Sequence, residues 1–367
     1  MRYYLIAGEA SGDLHGSNLI KGLVAEDPEA QFRFRGGDLM AEAAGCSPVQ
    51  HYRDGAVMGL GDVLAKAGKL LGSVSSCKKD IAAWNPDVLI LIDYPGFNLR
   101  MAEFAHKRGL KVFYYIAPKT WASRSGRNRK LKKWVDRLFI IFPFEKPYFD
   151  KAGLKYTYAG NPLLDAVDLH RYSPVGTSPY VALLAGSRKG EISRMMPVCM
   201  RLADSFPDRK FIIAGAPARS AEDYEKYIQG RGNVSLVFGR TYDVLKYASA
   251  AVINSGTASL EAALIGTPQV VCWSTSEVTA FVAEKILHVL EHVKYISLAN
   301  LILDKQIFKE LIQRYFTLEN VSRELSLLLE DKEYRNTMLE DYSKVREALG
   351  GTGASRAVAR AMIEELR

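Results

Sequence analysis

Two doubly wound α/β domains in tandem, each a parallel sheet with helices on both faces, are what this sequence predicts. Short apolar runs recur along the chain with helix-length segments between them. The runs are continuous rather than alternating, as strands covered on both faces require. The pattern also stops and restarts around residues 169–179, a stretch with two prolines, a glycine and little apolar character. Such a stretch reads as a linker.

In the first half the strand candidates are residues 3–7, 88–92, 111–116 and 138–142, each bounded by glycine, proline or charge. After the linker come 180–184, 210–214, 235–238, 250–253 and 269–273. Residues 1–170 and 171–349 are therefore expected as the two domains. At 367 residues, 48% hydrophobic and 25% charged, the chain can build two cores of ordinary size. No apolar run approaches the ~18 residues of a membrane span. The amino-terminal stretch lacks the longer apolar core and cleavage site of a signal peptide, so it reads as a first buried strand. Cys46, Cys77, Cys199 and Cys272 lie far apart with no metal-ligand spacing, which suits a reducing cytosol.

The net charge of +8 is uneven: residues 107–135 hold ten Lys or Arg and no acid. Arg124, Arg127, Arg129, Lys130, Lys132 and Lys133 crowd one short stretch of it. Such a block wants a polyanion, with a solvated basic surface as the plainer alternative. Nucleic acid is the poorer partner, because Trp121 and Trp134 alone make no stacking platform or recognisable module.

In open α/β sheets, ligands gather beyond the carboxyl ends of the strands. The run 250–253 ends in Asn254-Ser255-Gly256-Thr257-Ala258-Ser259-Leu260-Glu261, a strand, small-residue turn and helix start. Free N–H groups and the helix dipole at Ser255, Gly256 and Thr257 favour an anion, and Glu261, a turn further on, can accept from sugar hydroxyls. Diphosphate and ribose held together make a nucleotide-sugar site. Ordinary capping explains the same residues, although Thr257 is followed three residues later by Leu260 rather than the Glu of a capping box. The run 180–184 ends in Ala185-Gly186-Ser187-Arg188, where the guanidinium can grip phosphate or pair with Glu191.

Strand one ends in Gly8-Glu9-Ala10-Ser11-Gly12-Asp13, whose spacing is neither GxGxxG nor a Walker loop. The run 88–92 ends in Asp93-Tyr94-Pro95-Gly96-Phe97-Asn98, placing a carboxylate where a ligand would sit or where it could cap the next helix. Val57, Leu60, Val63, Leu64, Ala67, Leu70, Leu71 and Val74 recur at helical spacing with charges between them. Gly59, Gly61, Gly68 and Gly72 each cost up to ~1 kcal/mol against Ala in a core helix. A segment that enters lipid shallowly or admits acyl chains tolerates them better, with a core helix as the alternative.

Taken together these motifs resemble the lipid-A-disaccharide synthase family across nearly the whole chain. The resemblance rests on Ala7-Gly8-Glu9-Ala10-Ser11-Gly12-Asp13, Val57-Met58-Gly59, Ile92-Asp93-Tyr94-Pro95-Gly96-Phe97-Asn98 and Phe142-Pro143-Phe144-Glu145. Gly160-Asn161-Pro162, Gly186-Ser187-Arg188, residues 255–261 and Ser297-Leu298-Ala299-Asn300-Leu301 follow in family order. The chain departs from the family at Ser123 (often Trp), at Ser274 (often Arg after an aromatic residue) and at Gly96 (often Asp). Those positions bear on acyl-chain preference and phosphate contacts.

The resemblance implies a GT-B architecture, two Rossmann-like domains facing across a cleft, with residues of about 350–367 returning to the first domain as a helix. It implies an inverting hexosyltransferase of Gram-negative lipid A biosynthesis. The donor would be UDP-2,3-diacylglucosamine and the acceptor 2,3-diacylglucosamine 1-phosphate (lipid X). Asp93 is the expected base, with Glu9 and Asp13 as rivals. Gly186, Ser187, Arg188, Ser255, Gly256, Thr257, Glu261 and Asn300 are expected on the UDP side. Ser11, Val57, Met58, Leu60, Val63, Leu64, Leu70, Leu71, Arg124, Arg127, Arg129 and Lys130 are expected at the acceptor, its acyl chains or an anionic membrane. No Asp-x-Asp motif stands at a plausible strand end, so no metal or other cofactor is expected. The enzyme is expected on the cytoplasmic face of the inner membrane, held peripherally, with a homodimer as one option. A UDP-N-acetylglucosamine 2-epimerase or a peptidoglycan glycosyltransferase is the alternative on the same fold.

Overall fold

A computed structural model describes residues 1–55, 63–121, 125–176, 179–275 and 294–367, with residues 55 and 63–70 described by their backbone alone. The expected contacts Val57, Met58, Leu60 and Arg124 lie outside the described residues. The chain divides into two compact units, Met1–Ala166 with Gly351–Arg367, and Val167–Gly350.

The first unit is built on seven strands, all parallel: β1 (Arg2–Ala7), β2 (Gln31–Gly36), β3 (Gln50–His51), β4 (Val88–Ile92), β5 (Lys111–Tyr115), β6 (Arg137–Ile140) and β7 (Tyr156–Tyr158). Their order is β3-β2-β1-β4-β5-β6-β7, so the sheet grows in both directions from β1 and reverses between β1 and β4. Tyr3 pairs with Val88 and Ala7 with Ile92, which brings the carboxyl ends of β1 and β4 side by side. Alternate side chains supply two cores, as the period of two demands. Tyr4, Ile6, Leu89, Leu91 and Tyr114 pack with Val74, Cys77, Ile81 and Phe97. On the other face the helix Ala10–Glu26 comes so close that a Cβ on Gly12 would sit 3.2 Å from Ala7.

The second unit has six parallel strands: β8 (Tyr180–Leu184), β9 (Lys210–Gly215), β10 (Val234–Phe238), β11 (Ala250–Asn254), β12 (Gln269–Trp273) and β13 (Glu310–Ile312). Their order, β10-β9-β8-β11-β12-β13, reverses between β8 and β11. This is the Rossmann-like winding that βαβ handedness favours.

All nine expected strands form, and β2, β3, β7 and β13 are added. β2 carries Arg33 and Arg35 in an alternating sequence, which hides it from a search for apolar runs. Arg33 is matched to Asp80 at 2.6 Å, and Arg35 donates to Gln50, Ser73 and Ser76. The amphipathic segment runs on as a helix, Val63–Trp84. Residues 57–74, expected to meet lipid or acyl chains, lie mostly outside the described side chains; from Val74 onward the helix is a core element, because Val74, Cys77 and Ile81 bury against the sheet. Leu71 stays 63% exposed. Residues 169–176, expected as linker, are pinned: His170 Nε2 lies 3.0 Å from Asp243, and the Ser173 amide donates to the same carboxylate.

Candidate active site

In each unit the candidate residues stand at the point where strand order reverses. Neighbouring helices there leave the sheet on opposite faces, and the carboxyl ends of two adjacent strands lie open between them.

In the first unit those strands are β1 and β4. β1 passes through Gly8 and Glu9 into the helix Ala10–Glu26, leaving Glu9 exposed and Ser11 half-buried in the first turn. β4 is followed by Asp93 and Tyr94, both left-handed at φ 43° and 46°, and β5 by Ile116 with φ 62°. Non-glycine residues in this region cost about 1–3 kcal/mol each and persist where the surroundings impose them. The surroundings do so here. The Asp93 carbonyl accepts from the Tyr114 hydroxyl and from Asn98 Nδ2, and its N–H donates to the Tyr115 carbonyl. The Tyr94 ring lies over Gly8, where a Cβ would fall 2.4 Å from it. This frame fixes the backbone of Asp93. Burial raises its carboxyl above the ordinary carboxylate range and Glu9 adds to this, while Lys119 and Arg127 oppose it. A carboxylate of raised basicity beside two cations is suited to taking a proton.

Asp13, expected as a rival, is occupied by the fold. It is buried, and its oxygens accept from the backbone N–H groups of Gly37, Leu39 and Met40, capping the helix Asp38–Ala44. Two of the quoted motifs likewise serve the backbone. Glu145 accepts from the amides of Ile141 and Phe142 and from the Trp121 indole, and burial pushes its carboxyl up to about 7. Asn161 donates to the Ile141 carbonyl and accepts from the Leu163 amide.

In the second unit β8 and β11 carry the site. Gly186, at φ 98°, turns the chain where a Cβ would meet Glu191 and Asn254 at 2.6 and 2.7 Å. Glu191 then accepts from the amides of Ser187 and Arg188 and pairs with the Arg188 guanidinium at 3.2 Å. The Arg188 side chain is 73% exposed, so this pairing is weakly held and leaves guanidinium N–H groups for a ligand. Beside it Asn254 ends β11, and Gly256 leads into the helix Thr257–Ile265. Among the described residues no side chain caps that helix start, which leaves its first amides open to an anion.

Glu261 lies one turn in and accepts from the Tyr242 hydroxyl at 3.1 Å. Burial pushes its carboxyl up to about 7, with the Tyr242 hydrogen bond opposing. Tyr242 was not foreseen. Its only sequence signal is its place just beyond a strand end, here that of β10, at the start of the helix Thr241–Lys246. Asn300 is fully buried: it donates to the Phe308 carbonyl and to Glu310, and accepts from the Ile307 amide. It shapes a turn and has no polar atom left for a nucleotide.

Of the expected acceptor and membrane contacts, Val63, Leu64 and Leu70 sit on the helix Val63–Trp84, with their side chains outside the description. Arg127, Arg129 and Lys130 share the short helix Arg127–Trp134, which buries only Leu131. No helix among the described residues is long and apolar enough to cross a membrane, and no cluster of three His, Cys, Asp or Glu side chains among them is placed to hold a metal ion.

Residues 3–363 match the family model described as lipid-A-disaccharide synthetase. The lipid-A-disaccharide synthase of Geobacter metallireducens is 37% identical over 378 residues, covering 100% of this chain and 97% of that protein. Among solved structures, the UDP-GlcNAc 2-epimerase of Neisseria meningitidis bound to UDP-GlcNAc superposes with a TM-score of 0.69 at 14% identity, over 99% of this chain and 100% of that one. The calicheamicin glycosyltransferase CalG4 gives 0.59 at 15% identity, over 100% and 98%. At such identities the two structures speak for the fold alone.

Proposed function

The chain belongs to the lipid-A-disaccharide synthetase family and is a glycosyltransferase, and we propose that it joins two acylated glucosamines. The donor is UDP-2,3-diacylglucosamine, and the acceptor is the 6-hydroxyl of 2,3-diacylglucosamine 1-phosphate. The products are the β-1,6-linked disaccharide 1-phosphate and UDP, with inversion at the anomeric carbon. One observation carries the reading: a basic carboxyl stands at the strand reversal of one unit, and an open anion site followed by the half-buried Glu261 stands at that of the other.

Asp93 takes the proton of the acceptor hydroxyl as that oxygen attacks, with Glu9 and Ser11 orienting the sugar. On the other side of the bond, the departing diphosphate is met by the Arg188 guanidinium, by the Ser187 and Ser255 hydroxyls and by the helix start at Gly256 and Thr257. Gly186 admits the diphosphate to the backbone, and Glu261 accepts from the ribose hydroxyls. These protein groups carry the leaving charge, so turnover persists in excess EDTA.

Purified protein given both substrates releases UDP and the disaccharide. Asp93→Asn keeps UDP binding and loses about 10²–10⁴-fold in turnover. Near-normal turnover in that variant would refute the base assignment. A monosaccharide product epimerised at C2 would favour the epimerase alternative instead.

Both substrates are lipids, so the enzyme works at a membrane surface, on the cytoplasmic face of the inner membrane. The exposed basic residues of the helix Arg127–Trp134 meet anionic headgroups, at roughly 1 kcal/mol per close cation. The exposed Leu71 meets the acyl region. Flotation with anionic vesicles weakens in high salt, and no flotation at any salt would end the idea.

A further inference from the structure

A cavity of about 200 Å³ in the first unit begins at Pro95, two residues after Asp93, and the reaction as proposed leaves it without a purpose. Two helices line it. Pro95–His106, which begins two residues after Asp93, contributes Gly96, Arg100 and Glu103; Arg127–Trp134 contributes Arg127, Lys130 and Trp134. Three cations thus face one acid, and the acid is already matched, since Glu103 pairs with Lys107 at 2.8 Å. Arg100 spends one N–H on the Gly96 carbonyl. Neither Arg127 nor Lys130 has a carboxylate within ion-pair distance among the described residues. Three cations around one cavity outnumber its single carboxylate and repel one another, and a bound anion relieves that repulsion.

The donors indicate which anion. Two guanidinium forks and an ammonium suit the several oxygens of a phosphate better than the two of a carboxylate. The space exceeds the ~30 Å³ share of a water several-fold. Trp134 adds a flat apolar wall on which the C–H face of a sugar can lie, and Lys130 Nζ stands 5.8 Å from its ring centre. The chemistry of the acceptor supplies a geometric reason for the location. The anomeric carbon and the carbon that bears the 6-hydroxymethyl group both bond the ring oxygen, so a sugar 1-phosphate carries its phosphate and its 6-hydroxyl on the same edge. An acceptor that presents the hydroxyl to Asp93 must lodge its phosphate close by.

We propose that the cavity between the helices Pro95–His106 and Arg127–Trp134 is a phosphate-monoester subsite that holds the anomeric phosphate of the acceptor. This rests on the acceptor being a sugar 1-phosphate, as in the proposed reaction. Arg127 and Lys130 are thereby assigned to substrate recognition, and Arg129, Lys132 and Lys133 are left for the membrane.

The test compares two double variants of equal charge on one helix: Arg127→Gln with Lys130→Gln, and Lys132→Gln with Lys133→Gln. Turnover is measured with acylated glucosamine acceptors bearing either a 1-phosphate or a free anomeric hydroxyl, at a pH where Asp93 is ionised. The wild-type protein and the 132/133 variant prefer the phosphorylated acceptor. In the 127/130 variant that preference falls at least tenfold, through acceptor KM, with donor KM unchanged. An unaltered preference overturns the proposal. Binding of soluble glucosamine 1-phosphate to the full chain, followed by phosphorus NMR, reads the subsite without turnover and should be lost in the same variant. If no disaccharide forms with either acceptor, the proposed reaction fails, and this binding arm still decides the subsite. A third arm uses flotation on anionic vesicles. If the 127/130 variant loses flotation while keeping glucosamine 1-phosphate binding, the cavity serves a lipid headgroup and the acceptor assignment is overturned.

Discussion

The Asp93 carboxyl owes its basicity to burial, and the charges around it decide how far that goes. Lys119 opposes the rise and Glu9 supports it, so exchanging each should move the acidic limb of kcat/KM in opposite directions. Lys119→Gln removes a cation that favours the ionised form, so the base protonates at higher pH and the limb moves up; Glu9→Gln moves it down. Limbs that stay in place in both variants would mean that Asp93 is not the group titrating. Glu261 makes a second pH prediction. Its carboxyl is held up to about 7 by burial, and ribose hydroxyls prefer to donate to the ionised form. Binding therefore releases a proton, and affinity rises with pH until the free carboxyl is ionised. UDP-GlcNAc, which does not titrate in this range, should bind about tenfold more tightly at pH 8 than at pH 6. Titration calorimetry checks this, and Glu261→Gln, with His170 still beside Tyr242, should flatten the dependence.

Among the elements, the turns after β1 and β4 form one device. Tyr94 takes a left-handed backbone, its ring covers Gly8, and only a residue without a Cβ fits beneath it. Gly8→Ala should displace the ring and cost about 1–3 kcal/mol in chemical denaturation. Turnover should fall too, because Asp93 is its neighbour; Tyr94→Gly in the same background should restore the stability. The strand ends were legible in the sequence because glycine, proline and acid punctuate apolar runs there. The duties of the individual acids were not. Asp13 and Asp93 both follow buried strands, yet three backbone amides claim Asp13, which lies buried beneath them. Which amides come within reach depends on where the helix Asp38–Ala44 packs, and no local pattern encodes that.

For the molecule as a whole, the last helix, Ala354–Leu366, belongs to the unit built by the first residues of the chain. Val358, Ala359, Met362 and Ile363 are buried there. Gly22 lets the helix Ala10–Glu26 approach it, since a Cβ would lie 2.9 Å from the Ser355 carbonyl, and Asp165 accepts from the amides of Gly353 and Ser355. Burial of large apolar side chains contributes about 1.5–3 kcal/mol each, and a domain is stable by only ~5–15 kcal/mol. Ending the chain after Gly350 should therefore abolish the calorimetric transition of the first unit and leave that of the second, whose residues end there. Loss of both transitions, or of neither, would contradict this division.

The sequence by itself determined the two-domain α/β class, nine strands and the strand-end residues of both candidate sites, because periodicity, punctuation and small-residue turns are written between near neighbours. Tertiary structure alone decided the strand orders that set β1 beside β4 and β8 beside β11, and the pairings that keep charged β2 within a sheet. It alone drew Tyr242 to Glu261, spent Asp13 and Asn300 on the backbone, and gathered Arg100, Arg127 and Lys130 around one cavity. Such outcomes depend on which distant surfaces exclude water together, and on which polar groups that exclusion leaves to find partners.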